Sequence, residues 1–329
     1  MPKRRYSVLF KNKIQKFKKV IDVDSDKSIS IRSFLIGSIS NGISEVKNTL
    51  ESEDLFSTIN CLKKLGVKIK KIGRKNYRIY GKGLGSLKAK KNALLNCGNS
   101  GTCARLLIGI LSTTPGIEVI IKGDRSLSKR NMLKLIEVMN KFGAEFYPRK
   151  KFNLPFKITS SAMPTSIFYK AGVSSQLKSA VILASANAFG QSTIIENKNY
   201  ESRDHTENIL LKNSKILKIK KNKNGNIIKI SGKENMDCLN LSIFGDPSSA
   251  AFFTAITMLT PNCYLKIKNV GLNPKRTGFY RLMKMHGAKI IYKNVRKNNI
   301  NELVGDIHVK TSKLRPIKAS AKIYPSMPD

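Results

Sequence analysis

Apolar and polar positions along the chain follow a pattern that recurs about four times. Each copy opens with a short run rich in Gly, Ser and Thr, continues into an apolar helical segment, and passes through a Gly or Pro break into a short strand. A second helix and a further strand complete the copy. The four openings are DSDKSIS (24–30), GNSGT (98–102), GVSSQ (172–176) and GDPSS (245–249). Ser28 and Thr102 lie 74 positions apart, as do Ser174 and Ser248, so the pattern predicts a β/α repeat.

Stop signals mark the ends of the second helices. Gly66, Gly143 and Gly287 each stand where a left-handed residue would end a helix, and the third copy has Lys212-Asn213-Ser214 there instead. Strand-like runs occupy 117–122, 192–196, 264–269 and 307–310. The GKGLG segment (81–85) misses the dinucleotide-binding GxGxxG pattern because residue 86 is Ser, and no GxxxxGK[ST] loop occurs. We therefore expect an α/β fold without a nucleotide-binding motif.

Length and composition restrict the class of protein. A chain of 329 residues exceeds one ordinary core and predicts two domains. No apolar run approaches the roughly 18 residues that cross a bilayer, and the first residues lack the apolar stretch of a secretory signal. The five cysteines form no CxxC pair, which fits free thiols in a reducing cytoplasm. We expect a cytoplasmic protein without a membrane partner.

The net charge of +40 has three interpretations. It fits nucleic-acid binding, a field that attracts small anionic substrates, or a genome that favours Lys and Asn. The lysines are scattered along the chain, mixed with Asn, and no aromatic-interleaved RNA motif accompanies them. Composition alone leaves these interpretations open.

The repeat openings are candidate anion sites. The N-terminal end of a helix carries unsatisfied N–H groups and partial positive charge, which hold phosphate or carboxylate well. A single Ser, Thr or Asn opening is an ordinary N-cap, but four openings in register favour several helix ends that converge on charged ligands. Lys27 precedes the first helix, Arg32 lies one turn inside it, and Arg130 stands at the start of a second helix. SRDH (202–205) opens another.

These residues resemble those of 5-enolpyruvylshikimate-3-phosphate synthases over nearly the whole chain, from about residue 26. Eight motifs occur in the family's order: DKSISIR, NCGNSGTCARLL, GDRSLSKRNM, GVSSQLKSAVILA, SRDHTENIL, GDPSSAAFF, NVGLNPKRTG and YPSMPD. UDP-N-acetylglucosamine enolpyruvyl transferases share the fold, but their Asn-Asn pair and their cysteine in a Pro-rich loop are not seen here. The resemblance implies a two-lobed fold of βαβαββ units, an inside-out α/β barrel. It assigns 21–240 to the first lobe, with three units and the shikimate 3-phosphate side, and 1–20 plus 241–329 to an incomplete second lobe.

The resemblance also implies residue roles. Lys27 lies between shikimate 3-phosphate and phosphoenolpyruvate and touches both, and Gln176 reaches both. The further contacts to shikimate 3-phosphate are Ser28, Arg32, Ser174, Ser175, Ser202, Arg203 and Asp329. The contacts to phosphoenolpyruvate are Asn99, Gly101 and Arg130. Arg32 suits a bidentate clamp on a carboxylate, and Gly101 lets a ligand approach the backbone closely.

The implied reaction transfers the enolpyruvyl group of phosphoenolpyruvate to the 5-hydroxyl of shikimate 3-phosphate. It needs a carboxylate base and cations around phosphate and carboxylate, with no metal or organic cofactor. By resemblance the base is Asp329, on which the chain stops. Family members continue with further basic contacts, so we expect a C-terminally truncated, inactive fragment. Gly101 predicts sensitivity of the completed enzyme to glyphosate, a competitor of phosphoenolpyruvate.

Two further classes remain as alternatives, a basic nucleic-acid-binding protein and a non-catalytic scaffold descended from the enzyme fold. The retained Lys27, Arg32, Arg130, Gln176 and Asp329 disfavour the scaffold. The three histidines are expected to be caps or surface residues. We expect a monomer that binds two small acidic metabolites and no nucleic acid.

Overall fold

The structure is a computed structural model that describes residues 9, 13–200, 202–212 and 215–327. Its strands form four sheets of four strands each within these ranges. The strands are β1 (Lys18–Ile21), β2 (Ile43–Lys47), β3 (Lys68–Gly73), β4 (Asn76–Tyr80), β5 (Ala93–Asn96), β6 (Glu118–Lys122), β7 (Glu145–Tyr147), β8 (Phe156–Thr159), β9 (Phe168–Ala171), β10 (Gln191–Asn197), β11 (Leu217–Asn222), β12 (Gly225–Ser231), β13 (Asn240–Ser242), β14 (Tyr264–Gly271), β15 (Lys289–Lys297) and β16 (Leu303–Lys310). The four strand-like runs of the sequence correspond to β6, β10, β14 and β16, so those predictions are confirmed.

One pairing scheme recurs in all four sheets. The strand orders are β13-β2-β4-β3, β5-β6-β8-β7, β9-β10-β12-β11 and β1-β14-β16-β15. In each sheet the first pair is parallel and the other two pairs are antiparallel. The α/β fold with repeated units is therefore confirmed, and each copy has two strands after its second helix where the sequence pattern showed one.

The first helix of each copy has the same length and the same kind of start. These helices are α1 (Lys27–Ile39), α3 (Gly101–Thr113), α5 (Ser175–Asn187) and α7 (Pro247–Leu259), each of 13 residues. Their N-caps are Asp26, Ser100, Ser174 and Asp246, and each cap side chain accepts a hydrogen bond from a backbone N–H of the first turn. The four predicted openings are thus four capped helix N-termini.

The second helices are shorter and end as their glycines predict. They are α2 (Glu53–Lys64), α4 (Leu133–Lys141), α6 (His205–Leu210) and α8 (Gly278–Met285). Gly66, Gly143 and Gly287 follow three of them with φ of +81°, +90° and +97°, a conformation that glycine adopts without cost. Asn213 and Ser214 of the third copy lie outside the described residues.

Helices α1, α3 and α5 lie together in the larger of two hydrophobic cores. Most of their residues are buried, and α3 packs directly against α5. A Cβ at Gly109 of α3 would stand 2.5 Å from the carbonyl oxygen of Ala180 on α5, so only glycine allows this close approach. The hydrogen bonds Arg32–Ser179 and Gln176–Thr102 bring the first turns of the three helices together at one end of this layer.

The second core contains α7, α8 and the sheet of β14, β15 and β16. Two chain segments, residues 24–26 and 244–246, cross between the cores and bond to each other. Strand β1 pairs with β14, whereas β13 pairs with β2, and Asp26 N–H donates to Phe244 O (2.8 Å) while Asp246 N–H donates to Asp24 O (2.8 Å). The crossing places the N-termini of α1 and α7 side by side. The lobe boundaries at residues 20/21 and 240/241 stay predictions. Within the described ranges, every helix is too short or too polar to pass through a bilayer.

Candidate active site

Side-chain contacts join the N-termini of the four long helices. Gln176 in the first turn of α5 donates from Nε2 to Thr102 Oγ1 of α3 (2.9 Å). Arg32 of α1 donates from Nη2 to Ser179 Oγ of α5 (3.3 Å). Arg276 bridges the caps of α1 and α7, with Nη2 at 3.6 Å from Asp26 Oδ2 and 2.8 Å from Asp246 Oδ1. The partial positive charges of these helix ends therefore meet in one region, which is suited to multiply charged anions.

Four of the five residues assigned to the phosphoenolpyruvate side, all but Lys27, form one cluster. Arg130 donates from Nη2 to Asn99 Oδ1 (3.2 Å), and a Cβ at Gly101 would stand 2.8 Å from Nη1 of both Arg130 and Arg105. Arg105 donates from Nη1 to Gln176 Oε1 (2.8 Å). Asn99, Gly101, Arg105, Arg130 and Gln176 are called the arginine cluster below. The sequence predicted Arg130 at the start of a helix. In the structure Arg130 is extended and follows a short 3-10 turn at Leu127–Lys129, and α4 begins three residues later.

Arg105 was not among the sequence-predicted site residues. It stands four positions after Gly101 on an apolar helix, where a cation is unusual, and this i+4 relation places it over the N-terminal turn. Burial lowers the pKa of the Arg105 guanidinium, and the neighbouring charge of Arg130 lowers it further. Nη1 of Arg105 and Nη1 of Arg130 each lie 2.8 Å from the position of a Cβ on Gly101, so the two positive charges are close enough to repel each other. A bound anion would relieve that repulsion.

The predicted shikimate 3-phosphate contacts fall into an exposed and a buried set. Ser174 caps α5 and is exposed, while Ser175 begins that helix and is half-buried. Ser202 is buried, and its N–H and hydroxyl donate to Glu196 Oε1 at 3.0 and 3.4 Å. Arg203 follows it at a half-buried position. The Ser202 hydroxyl therefore already has a partner within the protein.

Arg32 is buried, with 3% of its surface exposed. Its Nε donates to Thr206 Oγ1 (3.0 Å) and its Nη1 donates to the carbonyl oxygen of Ser28 (3.2 Å). Burial lowers the pKa of Arg32 to about 10, against the raising effect of Asp26. Together with the bond to Ser179, three of its five N–H donors bond to partners within the part of the chain that the structure describes, and a carboxylate would pair with the outer donors of its two terminal nitrogens.

Lys27 is the first residue of α1, and half of its side chain is exposed. Its ammonium lies 3.5 Å from Asp54 Oδ2, and its backbone N–H donates to Asp246 Oδ2 (3.4 Å). Ser28 follows at a half-buried position. Lys27 thus stands at the point where the two crossing segments meet. Asp329, the predicted base, lies outside the described residues.

A buried ion network supports the Ser202 segment, and sequence reasoning did not identify it. Lys178 of α5 is fully buried, and its ammonium lies 2.6 Å from both Glu196 Oε1 and Glu207 Oε1. Burial raises the pKa of Glu196, but Lys178 and then Lys275 outweigh it and lower that pKa to about 2. Lys275 also lies 3.3 Å from Asp204 Oδ2. The network ties α5 and α6 to the loop that carries Arg276.

The chain matches the model of one protein family over residues 11–328, described as EPSP synthase (3-phosphoshikimate 1-carboxyvinyltransferase). The 3-phosphoshikimate 1-carboxyvinyltransferase of Sulfurihydrogenibium sp. (strain YO3AOP1) is 37% identical over 321 residues, which cover 96% of this chain and 72% of that protein. The Bacillus subtilis (strain 168) protein of the same name is 35% identical over 97% of this chain and 72% of its own. A solved EPSP synthase from Acinetobacter baumannii superposes with a TM-score of 0.82 at 33% identity, covering 95% of this chain and 69% of that one. The chain therefore belongs to the EPSP synthase (3-phosphoshikimate 1-carboxyvinyltransferase) family.

Proposed function

We propose that the chain binds shikimate 3-phosphate and phosphoenolpyruvate at the joined helix N-termini, and that this is the site for the enolpyruvyl transfer between them that its family catalyses. The products are 5-enolpyruvylshikimate 3-phosphate and phosphate. Family membership supports this reaction, and neither the UDP-N-acetylglucosamine transferase nor the nucleic-acid-binding alternative is favoured. The arginine cluster is the observation on which the proposal depends, because it collects two guanidinium groups around a residue that has no side chain.

The two acidic groups of phosphoenolpyruvate suit the arginine cluster. Arg105 and Arg130 supply planar donors for phosphate or carboxylate oxygens, and Asn99 holds Arg130 in place. Without a Cβ at Gly101, the ligand can reach the backbone at the start of α3. Arg105 is thus added to the predicted contacts Asn99, Gly101, Arg130 and Gln176.

The phosphate of shikimate 3-phosphate suits the start of α5. Ser174 and Ser175 offer hydroxyl and backbone donors there, and Arg203 and Ser202 belong to the segment that the Lys178 network holds nearby. Arg32 and Ser28 of α1 are assigned to the same substrate. Lys27 and Gln176, which stand at the starts of α1 and α5, serve both ligands.

The chemical step needs a base, an acid and charge stabilisation. As the 5-hydroxyl oxygen attacks C2 of phosphoenolpyruvate, its proton leaves and C3 gains a proton, which gives a tetrahedral intermediate. Phosphate then departs from C2 while C3 loses a proton, and the enol ether forms. Asp329 is the proposed base, and Lys27, Arg105 and Arg130 stabilise the negative charge on the phosphate and carboxylate.

Titration calorimetry tests this assignment. Shikimate 3-phosphate should bind first, and phosphoenolpyruvate should bind more tightly in its presence. Arg105→Gln should weaken phosphoenolpyruvate binding roughly tenfold or more, about 1.4 kcal/mol, with little effect on shikimate 3-phosphate. Lys134→Gln on the exposed face of α4 is the control. If the Arg105→Gln variant binds both ligands as tightly as the wild type does, the site is refuted. Phosphate release in the same samples measures whether any turnover occurs.

We also propose that the protein is a cytoplasmic monomer. All five cysteines are unpaired, which fits a reducing compartment. Sedimentation velocity measures the oligomeric state directly, and a dimer at micromolar concentration would contradict this part of the proposal.

A further inference from the structure

Three cysteines that are distant in sequence lie close together at the N-terminal end of α3. Cys61 lies on α2, Cys97 follows β5, and Cys103 lies in the first turn of α3. Their three Sγ atoms all lie within 4.8 Å of one another, and each residue is at most 1% exposed. None of the three is in a disulfide. The cluster combines three separate elements, so the sequence spacing did not predict it.

We propose that Cys61, Cys97 and Cys103 form a trithiolate site for a soft d10 ion such as Zn²⁺ or Cd²⁺. An ion with metal–sulfur bonds of about 2.3 Å holds its sulfur ligands about 4 Å apart. The observed separations allow this geometry after a shift of less than about 1 Å. Thiolates select soft ions over Mg²⁺ or Ca²⁺, whose preferred ligands are oxygen atoms.

The surroundings leave one side of the cluster open to an approaching ion. A cavity of about 420 Å³ has Cys61 in its lining, together with Ser57, Asn60, Lys63, Lys64 and Asn96, so an ion and a fourth ligand such as water can approach Cys61 from this side.

Occupation of the site would fix the loop of the arginine cluster. Cys97 precedes Gly98 and Asn99 directly, Cys103 follows Gly101 by two residues, and Ser100 N–H donates to Cys97 O (3.0 Å). An ion bound to both sulfur atoms ties the two ends of this loop to α2. The bound ion would therefore hold the loop in position and take no part in the reaction itself.

The competing explanation is that the three thiols only fill the core, as buried cysteines often do. Anaerobic titration of the reduced chain with Cd²⁺, followed by the ultraviolet cadmium–thiolate absorption, separates the two. We expect one Cd²⁺ per chain with the intensity of three thiolates. Cys61→Ser and Cys103→Ser should each weaken binding roughly 100-fold or more, whereas Cys238→Ser, which alters an exposed cysteine, and Cys263→Ser, which alters a buried one elsewhere, should not.

A second measurement uses only the wild-type chain, so it does not depend on whether the cysteine variants fold. X-ray absorption of the Zn²⁺-loaded wild-type chain should show three sulfur ligands at about 2.3 Å. Absence of stoichiometric Cd²⁺ binding, unchanged binding in both cluster variants, or fewer than three sulfur ligands would each overturn the proposal.

Discussion

Gly101 is the residue on which the arginine cluster converges. A methyl group at this position would stand 2.8 Å from Nη1 of Arg105 and of Arg130, closer than carbon and nitrogen atoms pack. Both contacts are the far ends of flexible side chains, so Gly101→Ala should fold while displacing the two guanidinium groups. We expect phosphoenolpyruvate to bind roughly tenfold more weakly, about 1.4 kcal/mol, as measured by calorimetry with shikimate 3-phosphate present.

Glyphosate should respond to the same substitution, because it competes with phosphoenolpyruvate in enzymes of this kind. The inhibitor concentration required should rise in Gly101→Ala. Gly73→Ala at the end of β3 is the matched control, since its nearest new contact lies at an ordinary 3.5 Å. Unchanged glyphosate and phosphoenolpyruvate binding in Gly101→Ala would show that the ligand does not lie against this residue.

The sequence identified individual site residues unevenly. Asn99, Gly101, Arg130 and Gln176 stand in recognisable motifs, and the structure brings them together. Lys178 stands in an apolar helix, and its partners lie 18 and 29 positions further along the chain. Only the packing of α5 against β10 and α6 reveals that this lysine is part of a buried ion network.

At the scale of elements, the caps stabilise the long helices, and the proposed function gives the cap of α5 a second role in binding phosphate. Ser174 Oγ accepts a hydrogen bond from Leu177 N–H (3.3 Å), and Ser100 Oγ accepts one from Cys103 N–H (3.2 Å). Ser174→Ala and Ser100→Ala should each lower the free energy of unfolding by about 1 kcal/mol. Urea unfolding followed by circular dichroism measures this loss.

Ser174→Asp separates the two roles of this cap. Aspartate caps a helix as well as serine does, so the free energy of unfolding should change by less than about 0.5 kcal/mol. Its negative charge should repel the phosphate of shikimate 3-phosphate and weaken binding at least tenfold. Tight binding of shikimate 3-phosphate by Ser174→Asp would place that phosphate elsewhere.

The Lys178 network predicts how stability depends on pH. The pKa of Glu196 is about 2 in the folded chain against an ordinary value of 4.5, so folding favours the ionised form. Its contribution, about 3 kcal/mol, is fully present above pH 4.5 and is lost as the pH falls toward 2. Glu207 opposes this in part, because burial raises its pKa.

Glu196→Gln should therefore be less stable than the wild type at pH 7 by about 3 kcal/mol, and the difference should shrink between pH 4.5 and pH 3. Thermal or urea unfolding at several pH values measures it. Glu137→Gln on the exposed face of α4 should leave the wild-type profile unchanged. A constant difference at all pH values would contradict the ionised state assigned to Glu196.

Elements with local signals were predicted well. Cap residues and left-handed glycines bounded the helices, because both effects act within a few residues of the helix end. Strands β5, β9 and β13 were not predicted. They have only 4, 4 and 3 residues, and each is defined by parallel pairing with a strand further along or earlier in the chain.

At the scale of the whole molecule, the crossing at residues 24–26 and 244–246 joins the two cores. The sequence pattern showed four equivalent copies but not that β1 and β13 exchange sheets, since local patterns do not specify sheet partners. Arg276 lies where the crossing brings Asp26 and Asp246 together, and it is 7% exposed. Its guanidinium offsets the repulsion between two carboxylates that both cap helices.

The environment of α7 differs from that of the other long helices. Helices α1, α3 and α5 are buried on nearly all sides, whereas α7 has exposed apolar side chains on one face. Their exposed fractions are 69% for Phe252, 45% for Phe253, 40% for Ile256 and 71% for Leu259. A contiguous apolar patch of this kind on a charged surface binds apolar molecules.

The fluorescent dye ANS should bind this face of α7. The dye is anionic and the chain carries a net charge of +40, so the titration is made at high salt, which screens the general attraction. The double substitution Phe252→Ser and Leu259→Ser should lower the fluorescence at least twofold and leave the free energy of unfolding within about 0.5 kcal/mol, because both side chains are largely exposed. Met163→Ser removes an equally exposed side chain from a loop and should change neither. If the double variant binds the dye as strongly as the wild type does, the accessible apolar surface lies elsewhere and the exposed face of α7 is covered in solution.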